Sequence, residues 1–331
     1  MDMLEIMQTL NACHGPSGDE REVAEAIRKL AAPYVDEIST DTLGSLICHK
    51  KGSGPRIMFA AHMDSIGCIV THIDKKGYLR FGQIGGLSPH DLPGTPVRFK
   101  NGVRGVIAVQ GKVEPKEWKL EHLYIDVGAK DEADAHAMVQ VGDTAVFDTA
   151  PFVTGRKLFS PYLDDRIACA ILLSSLERIK KSDNDLYFVF TVQEEVGLRG
   201  ARTAAYGIDP DYGIAVDVTD SDDIPDAPHE CSSAAGKGAA IKVMDSSVIC
   251  HSAVVKKLEE LAQARDIPCQ RDILCFGGTD AGAIHQTRAG VYTGGISVPT
   301  RYVHTPLEVA DLDDIEACAA LVAAFAQAKL D

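Results

Sequence analysis

The sequence predicts an α/β fold with a β-rich domain inserted into it. Residues 186–192 form an apolar, β-branched and aromatic run, which is typical of a strand buried on both faces. Other apolar runs alternate with helical patterns near both ends of the chain. In between, helical periodicity disappears and short β-like runs alternate with glycine, proline and charged turns. These observations predict a discontinuous α/β domain, residues 1–68 and 156–331, around an inserted β-rich domain, residues 69–155.

Composition argues against several classes of function. The chain has 331 residues, enough for a large core in one or two domains, and its net charge of -15 argues against nucleic acid as a partner. The nine cysteines are odd in number and form no Cys-x-x-Cys pair, so neither a disulfide framework nor a thiolate zinc site is expected. We find neither a signal-peptide pattern nor an 18-residue apolar stretch, so we expect a cytoplasmic protein without a membrane partner.

In the first α/β segment, polar residues directly follow a strand. The predicted elements are helices over residues 3–12 and about 19–32 and strands over Ser45–His49 and Arg56–Ala60. His62 and Asp64 come directly after the second strand and share a face of an extended chain, because they are two residues apart. A carboxylate so placed can orient an imidazole that binds a metal ion. Taken alone, a His-x-Asp pair is more often incidental.

The inserted region contains six short β-like runs and one short helix. The runs are Cys68–His72, Tyr78–Phe81, Val97–Phe99, Gly105–Gln110, Leu123–Val127 and Asp143–Phe147, and the helix covers Glu132–Met138. Together they predict a small β-barrel or sandwich. Trp118, the only tryptophan, lies in the polar stretch Glu114–Lys119, where it either contacts another subunit or caps the barrel.

After residue 156, further acidic pairs occur near the ends of predicted elements. Asp164 and Asp165 precede a strongly apolar helix that runs to about residue 180, so helix N-capping alone could explain them. Glu194 and Glu195 follow the strand at residues 186–192, and Asp217 ends the next strand. At a strand end the chain turns, so both glutamates can reach one pocket. A lone Glu-Glu pair is usually a solvated loop, but three apolar strands with such endings favour a shared site at the carboxyl edge of the sheet.

The last third of the chain adds a histidine to this set. A glycine-rich turn over residues 276–282 leads into a helix, but it lacks the Lys-Ser/Thr pair of a phosphate loop. His304 lies in a loop just after a strand at Val291–Val298. A helix over Leu312–Lys329 closes the domain.

The chemistry of these residues points to a metal site. The set comprises two histidines and five carboxylates: His62, His304, Asp64, Asp164, Glu194, Glu195 and Asp217. So many buried carboxylates are very unfavourable without cations, and two divalent cations would compensate them. Imidazole and carboxylate without thiolate suit zinc, cobalt or manganese in a hydrolytic site. Two ions about 3.5–4 Å apart need one bridging carboxylate and activate a water, while another carboxylate stays free as general base.

On these motifs, the sequence resembles the TET-type dinuclear zinc aminopeptidases. That family includes glutamyl and deblocking aminopeptidases and proteins labelled endoglucanase M. The matching segments follow the family's order over essentially the full length: residues 61–67 (AHMDSIG), 160–166 (SPYLDDR), 193–201 (QEEVGLRGA), Asp217, 277–285 (GGTDAGAIH) and 296–306 (ISVPTRYVHTP).

This resemblance implies a zinc-peptidase-like three-layer α/β/α domain with a mixed central sheet, plus the small inserted β-barrel. It also implies that the insertion mediates dimerisation and that dimers form a tetrahedral dodecamer acting on short peptides. The resemblance implies that His62 and Asp217 bind one metal ion and that Glu195 and His304 bind the other. It also implies that Asp164 bridges the two ions. Glu194 would be the general base, and Asp64 would orient His62. The motifs do not indicate which N-terminal residue is preferred.

Three other functions compete with this interpretation. A related metallo-carboxypeptidase or deacylase uses the same residue types, but the resemblance would place its inserted domain after the Glu-Glu segment and not between Asp64 and Asp164. A glycoside hydrolase usually has aromatic sugar platforms, which a single tryptophan does not supply. A non-enzymatic assembly protein would not need the ligand set, and metal analysis would identify it.

Overall fold

The computed structural model describes residues 2–227 and 231–330, which form seventeen β-strands and eight α-helices. No helix within these residues is long and apolar enough to cross a lipid bilayer. The strands are β1 (Glu37–Thr40), β2 (Leu46–Lys50), β3 (Arg56–His62), β4 (Gly67–Ile73), β5 (Leu79–Ile84), β6 (Pro96–Phe99), β7 (Arg104–Val109), β8 (Leu123–Asp126), β9 (Thr144–Phe147), β10 (Phe152–Thr154), β11 (Lys157–Ser160), β12 (Asp185–Thr191), β13 (Tyr212–Asp220), β14 (Ala239–Met244), β15 (Cys269–Ile273), β16 (Tyr292–Arg301) and β17 (Glu308–Asp311). The helices are α1 (Met3–Ala12), α2 (Arg21–Ala31), α3 (Glu132–Met138), α4 (Leu163–Arg178), α5 (Arg199–Ile208), α6 (Ser252–Ala264), α7 (Ala281–Ile284) and α8 (Leu312–Ala326).

An eleven-stranded mixed sheet forms the centre of the main domain. Its strands lie in the order β1-β2-β12-β3-β13-β16-β17-β11-β10, and β14 and β15 extend it beside β16. The four neighbours β12, β3, β13 and β16 are parallel to one another. Their carboxyl ends therefore meet at one edge of the sheet, where open α/β sheets bind their ligands.

Helices cover both faces of this sheet. Helices α1, α2, α4, α6 and α8 pack together on one face, and α5 and α7 pack on the other. The alternating side chains of β3 pack into an apolar core on each face of the sheet. Ile57, Phe59 and Ala61 enter the larger core, whereas Met58 and Ala60 enter the smaller one. Burial of each large apolar side chain contributes about 1.5–3 kcal/mol, so both faces of the strand hold the layers together. The predicted three-layer α/β/α architecture is confirmed.

The region between β3 and β10 forms a closed antiparallel barrel. Its strands follow the order β4-β5-β8-β7-β6-β9 around a separate apolar core. The Phe147 amide of β9 donates a hydrogen bond to the Tyr162 hydroxyl, and the two rings stack with centroids 5.6 Å apart. Since Tyr162 immediately precedes α4, the barrel packs directly against the start of a helix that reaches the edge of the sheet.

The predicted strands of the barrel agree with the structure within a few residues, and its predicted helix coincides with α3. Trp118 is half-buried: its indole N–H donates to the Val113 carbonyl over 3.2 Å, and its ring stacks on His90 with centroids 6.0 Å apart.

Five short strands were not predicted from the sequence, namely β1, β10, β11, β15 and β17. Four of them lie in the outer parts of the sheet, and β15 pairs only with β14 among the described residues. In β1 and β15 most side chains are exposed or half-buried, so these strands lack the apolar signal that marked the central ones.

Candidate metal centre

A cleft of about 630 Å³ opens at the edge of the sheet where the four parallel strands end. Six of the seven predicted site residues line it: His62, Asp164, Glu194, Glu195, Asp217 and His304. The seventh, Asp64, is fully buried behind His62. The fold therefore brings together side chains that are far apart in the sequence, since 242 positions separate His62 from His304.

The ends of the parallel strands place these side chains. Strand β3 ends at His62, and β12 ends at Thr191, three residues before Glu194. Between them Gln193 has a positive φ of 55°, which turns the chain so that both following glutamates line the cleft. Asp217 lies within β13, and His304 follows the end of β16 by three residues.

Asp164 does not cap α4, although its position in the sequence allowed that interpretation. Its backbone has ψ of 104°, outside the helical range, and the peptide bond to Asp165 is cis. One carboxylate oxygen, Oδ1, lies 2.9 Å from His62 Nε2, and the other, Oδ2, lies 3.2 Å from His304 Nε2. Asp164 thus faces both histidines at once.

The two glutamates differ in their surroundings. Glu195 Oε2 lies 3.2 Å from His304 Nε2, and Glu195 belongs to a group with His62 and Asp164 whose potential ligand atoms all lie within 4.8 Å of one another. A second such group consists of His62, Asp165 and Asp217. Glu194 belongs to neither group, although its Oε2 is 3.9 Å from His62 Nε2.

Asp64 connects the imidazole to the glutamate loop. Its Oδ1 lies 3.4 Å from His62 Nδ1, and its oxygens accept the amide hydrogens of Glu194 over 3.0 Å and Glu195 over 3.2 Å. The Ser17 hydroxyl also donates to Asp64 over 2.6 Å. One buried carboxylate therefore fixes the ring of His62 and the backbone of both glutamates.

Comparison with known proteins identifies the family of this chain. The sequence profile of the M42 glutamyl aminopeptidases matches residues 44–321. The chain is 49% identical to a putative aminopeptidase of Acetivibrio thermocellus over 95% of each chain. This chain belongs to the M42 aminopeptidase family. It is a peptide hydrolase, and its resemblance to the TET-type enzymes is confirmed.

Solved structures agree with the assignment to M42. The aminopeptidase APDkam598 from Desulfurococcus kamchatkensis superimposes with a TM-score of 0.94 at 38% identity, covering 98% of this chain and 94% of that one. The TET1 peptidase of Pyrococcus horikoshii, described as assembling into a tetrahedron or a large octahedral shell, superimposes with a TM-score of 0.87 at 30% identity, covering 98% and 99%. Family membership favours the aminopeptidase over the three competing functions.

The electrostatics of this M42 site fit divalent cations. Burial and the nearby charges of Asp217 and other carboxylates raise the pKa of Glu194 well above its ordinary value, although His62 opposes this shift. Burial disfavours the charged form of His62, yet hydrogen bonds to Asp164 and Asp64 raise its pKa well above its usual range. The Oε1 atom of Glu195 is buried without a hydrogen-bond partner. Coordinated cations would satisfy such oxygens and offset the repulsion among the carboxylates.

The structure also adds four acidic residues that the sequence analysis did not place in the site. Asp165 accepts the His62 amide, and its Oδ1 is buried without a partner. Glu308 accepts the amides of Asp164 over 3.0 Å and His304 over 2.9 Å. The remaining two are Asp280, which accepts the Thr191 hydroxyl, and Glu20, which accepts the Gln193 amide. Only Asp165, beside Asp164, and Asp280, within the segment at 277–285, carried a sequence signal.

Proposed function

We propose that this M42 peptidase is a dinuclear metal-dependent aminopeptidase that removes N-terminal residues from short peptides. The observation that carries the proposal is the position of Asp164, whose two oxygens lie 2.9 and 3.2 Å from the imidazoles of His62 and His304. A carboxylate that faces two separate histidine ligands has the position needed to bridge two metal ions.

The donor set supports two sites that share Asp164. His62 and Asp217 would hold one ion, and Glu195 and His304 the other. Nitrogen and oxygen donors without thiolate favour zinc, and they also suit cobalt or manganese. Divalent cations at such a centre act as Lewis acids toward the peptide carbonyl and lower the pKa of the attacking water.

Glu194 is the proposed general base. It lines the cleft but stands outside both groups of potential ligands, so its carboxylate oxygens stay available for a proton. It would accept a proton from the attacking water and deliver it to the leaving amine. Asp64 holds the Glu194 amide and faces His62 Nδ1, so it would keep the base and the imidazole in fixed relative positions.

A panel of aminoacyl anilides tests this function directly. The protein is stripped of metal with a chelator, and each substrate is assayed before and after Zn²⁺, Co²⁺ or Mn²⁺ is restored. We expect activity only with metal, on substrates that carry a free α-amine. Full activity in the stripped protein, or efficient cleavage of N-acetylated peptides at internal bonds, would contradict the proposal.

We also propose that the barrel mediates dimerisation within a larger assembly of twelve subunits. The supporting observations are the shell formed by the similar P. horikoshii TET1 peptidase and the half-buried Trp118 in a charged stretch of the barrel. An enclosed assembly would admit short peptides and exclude folded proteins. Light scattering at micromolar concentration should give the mass of an oligomer, and a stable monomer would reject this part of the proposal.

A further inference from the structure

One charged residue of the cleft has no part in the proposed metal chemistry. Asp220 is the last residue of β13 and lines the cleft together with Val218 and Thr219. It is half-buried, and within the described parts of the chain its carboxylate oxygens accept no hydrogen bond and form no ion pair. Burial, reinforced by the charge of Asp164, raises the pKa of Asp220 to about 6. A cationic group that entered the cleft would stabilise the charged form of this carboxylate.

The described residues of the cleft include no ion-pair partner for Asp220. Among the described residues that line the cleft there is no lysine or arginine. The nearby Lys242 is fully buried and paired with Asp272, with Nζ 2.6 Å from Oδ2. Arg301, also close in the fold, pairs with Asp223. The two proposed metal ions would be held by residues other than Asp220, so they would not pair with its carboxylate either.

Part of the cleft wall is apolar and suited to an aliphatic chain. Leu274, Phe276 and Val303 line the same cleft, and Gly277 and Gly278 add wall without side-chain bulk. A lysine or arginine side chain has methylene groups that pack on apolar surface and a charged end that seeks a carboxylate. An acidic side chain would be repelled by the charge of Asp220, and the described residues of the wall include no lysine or arginine to offset that repulsion.

We propose that Asp220 makes this enzyme select peptides whose N-terminal residue is lysine or arginine. The ammonium or guanidinium group of that residue pairs with the Asp220 carboxylate, and its methylene stem packs on the apolar wall. This inference rests on the proposed aminopeptidase function and names its substrate class.

Lysyl and norleucyl anilides form the decisive pair of substrates, because norleucine has a side chain of similar length without the charge. We expect the metal-restored enzyme to cleave lysyl and arginyl anilides with kcat/KM at least ~10-fold above norleucyl anilide, since a charge-assisted hydrogen bond is typically worth about that much or more. Glutamyl anilide should be the poorest of the set. The lysyl preference should also weaken as salt is added, because the pair is partly exposed.

Substitution of Asp220 separates its role from a general one. Asp220→Asn should lower kcat/KM for lysyl anilide by about 10- to 100-fold and change that for norleucyl anilide by no more than about threefold. Asp226→Asn is the matched control: it removes the same charge from an exposed residue in the segment that follows β13, and Asp226 does not line the cleft. It should leave both substrates unchanged. Asp220→Lys should shift the preference towards glutamyl anilide.

The possible failures are distinguishable. If the metal-restored enzyme cleaves no aminoacyl anilide, the proposed function fails and the specificity fails with it. If it cleaves norleucyl or glutamyl anilide as well as lysyl anilide, the function stands and the role of Asp220 is overturned. An equal loss on all substrates in Asp220→Asn also overturns it, because Asp220 would then bind the α-amine common to all of them.

Discussion

Glu194 and Glu195 are adjacent in sequence and identical in chemistry, yet the structure predicts different effects when each is changed to glutamine. Glu194 stands apart from the two groups of potential ligands, whereas Glu195 Oε2 lies 3.2 Å from His304 Nε2 within the centre. Glutamine keeps the shape of glutamate but cannot take up a proton at neutral pH. We therefore expect Glu194→Gln to keep its metal and lose ~10²–10⁴-fold in kcat, the usual contribution of a general base.

That loss corresponds to about 3–5 kcal/mol in the activation free energy. Glu195→Gln should instead lose metal, because an amide replaces a charged ligand, and its activity should fall in proportion to the lost occupancy. Metal content by mass spectrometry, measured beside kcat, separates the two outcomes. Metal loss in the Glu194 variant with full occupancy in the Glu195 variant would reverse the roles, and near-normal turnover in either would remove that residue from the mechanism.

Thermal stability gives a second measurement that does not depend on turnover. Burial raises the pKa of both glutamates, which means that the fold disfavours their charged forms. At neutral pH, either glutamine variant should therefore melt at a higher temperature than wild type when both are metal-free. With metal restored, wild type and Glu194→Gln should gain stability by binding, and Glu195→Gln should gain less. Equal gains in all three proteins would refute the assignment of Glu195 as a ligand.

Three further predictions concern residues around the centre. In Gly86→Ala the new Cβ would lie 2.7 Å from His304 Nδ1, so kcat and metal occupancy should fall. Gly207→Ala is the control: its new Cβ would meet nothing within 4 Å, so neither quantity should change. Fully buried Arg166 donates hydrogen bonds to the carbonyls of Leu10, Cys13 and Gly15. Arg166→Met should therefore lower the free energy of unfolding, measured in urea, by about 2–4 kcal/mol. An unchanged urea midpoint would contradict this. Burial lowers the pKa of His14 to about 4 from 6.5. The unfolded chain thus binds a proton first as pH falls, so stability should drop between pH 6.5 and 4, by at most about 3 kcal/mol from this group, and metal-free His14→Gln should lack that part of the drop.

The central strands and the residues that follow them could be predicted from the sequence. Strands buried on both faces must be apolar throughout, so β3, β12 and β13 stood out as runs that end abruptly in polar residues. Parallel neighbours bring their carboxyl ends to one edge, which is why His62, Glu194 and Asp217 could be placed near one another before any contact was known. The six barrel strands were equally visible through their turns, and the order of the motifs sufficed to indicate the family.

Contacts between distant segments required the tertiary structure. The position of Asp164 before an apolar helix allowed the interpretation of a helix cap. Its contacts with His62 and His304 depend on how α4 meets the sheet, which no local sequence pattern reveals. Glu308 carried no sequence signal, since it accepts the backbone amides of Asp164 and His304, which come together only when β17 pairs with both β11 and β16. Asp220 was not singled out in the sequence, because the predicted strand ended at Asp217, whereas β13 extends to Asp220. Composition and periodicity report which surfaces a segment must bury, and they determined the layers, the barrel and most of the candidate ligands. Which carboxylates face a cation, a backbone amide or an open cleft depends on distances between segments far apart in the chain, and only folding decides those distances.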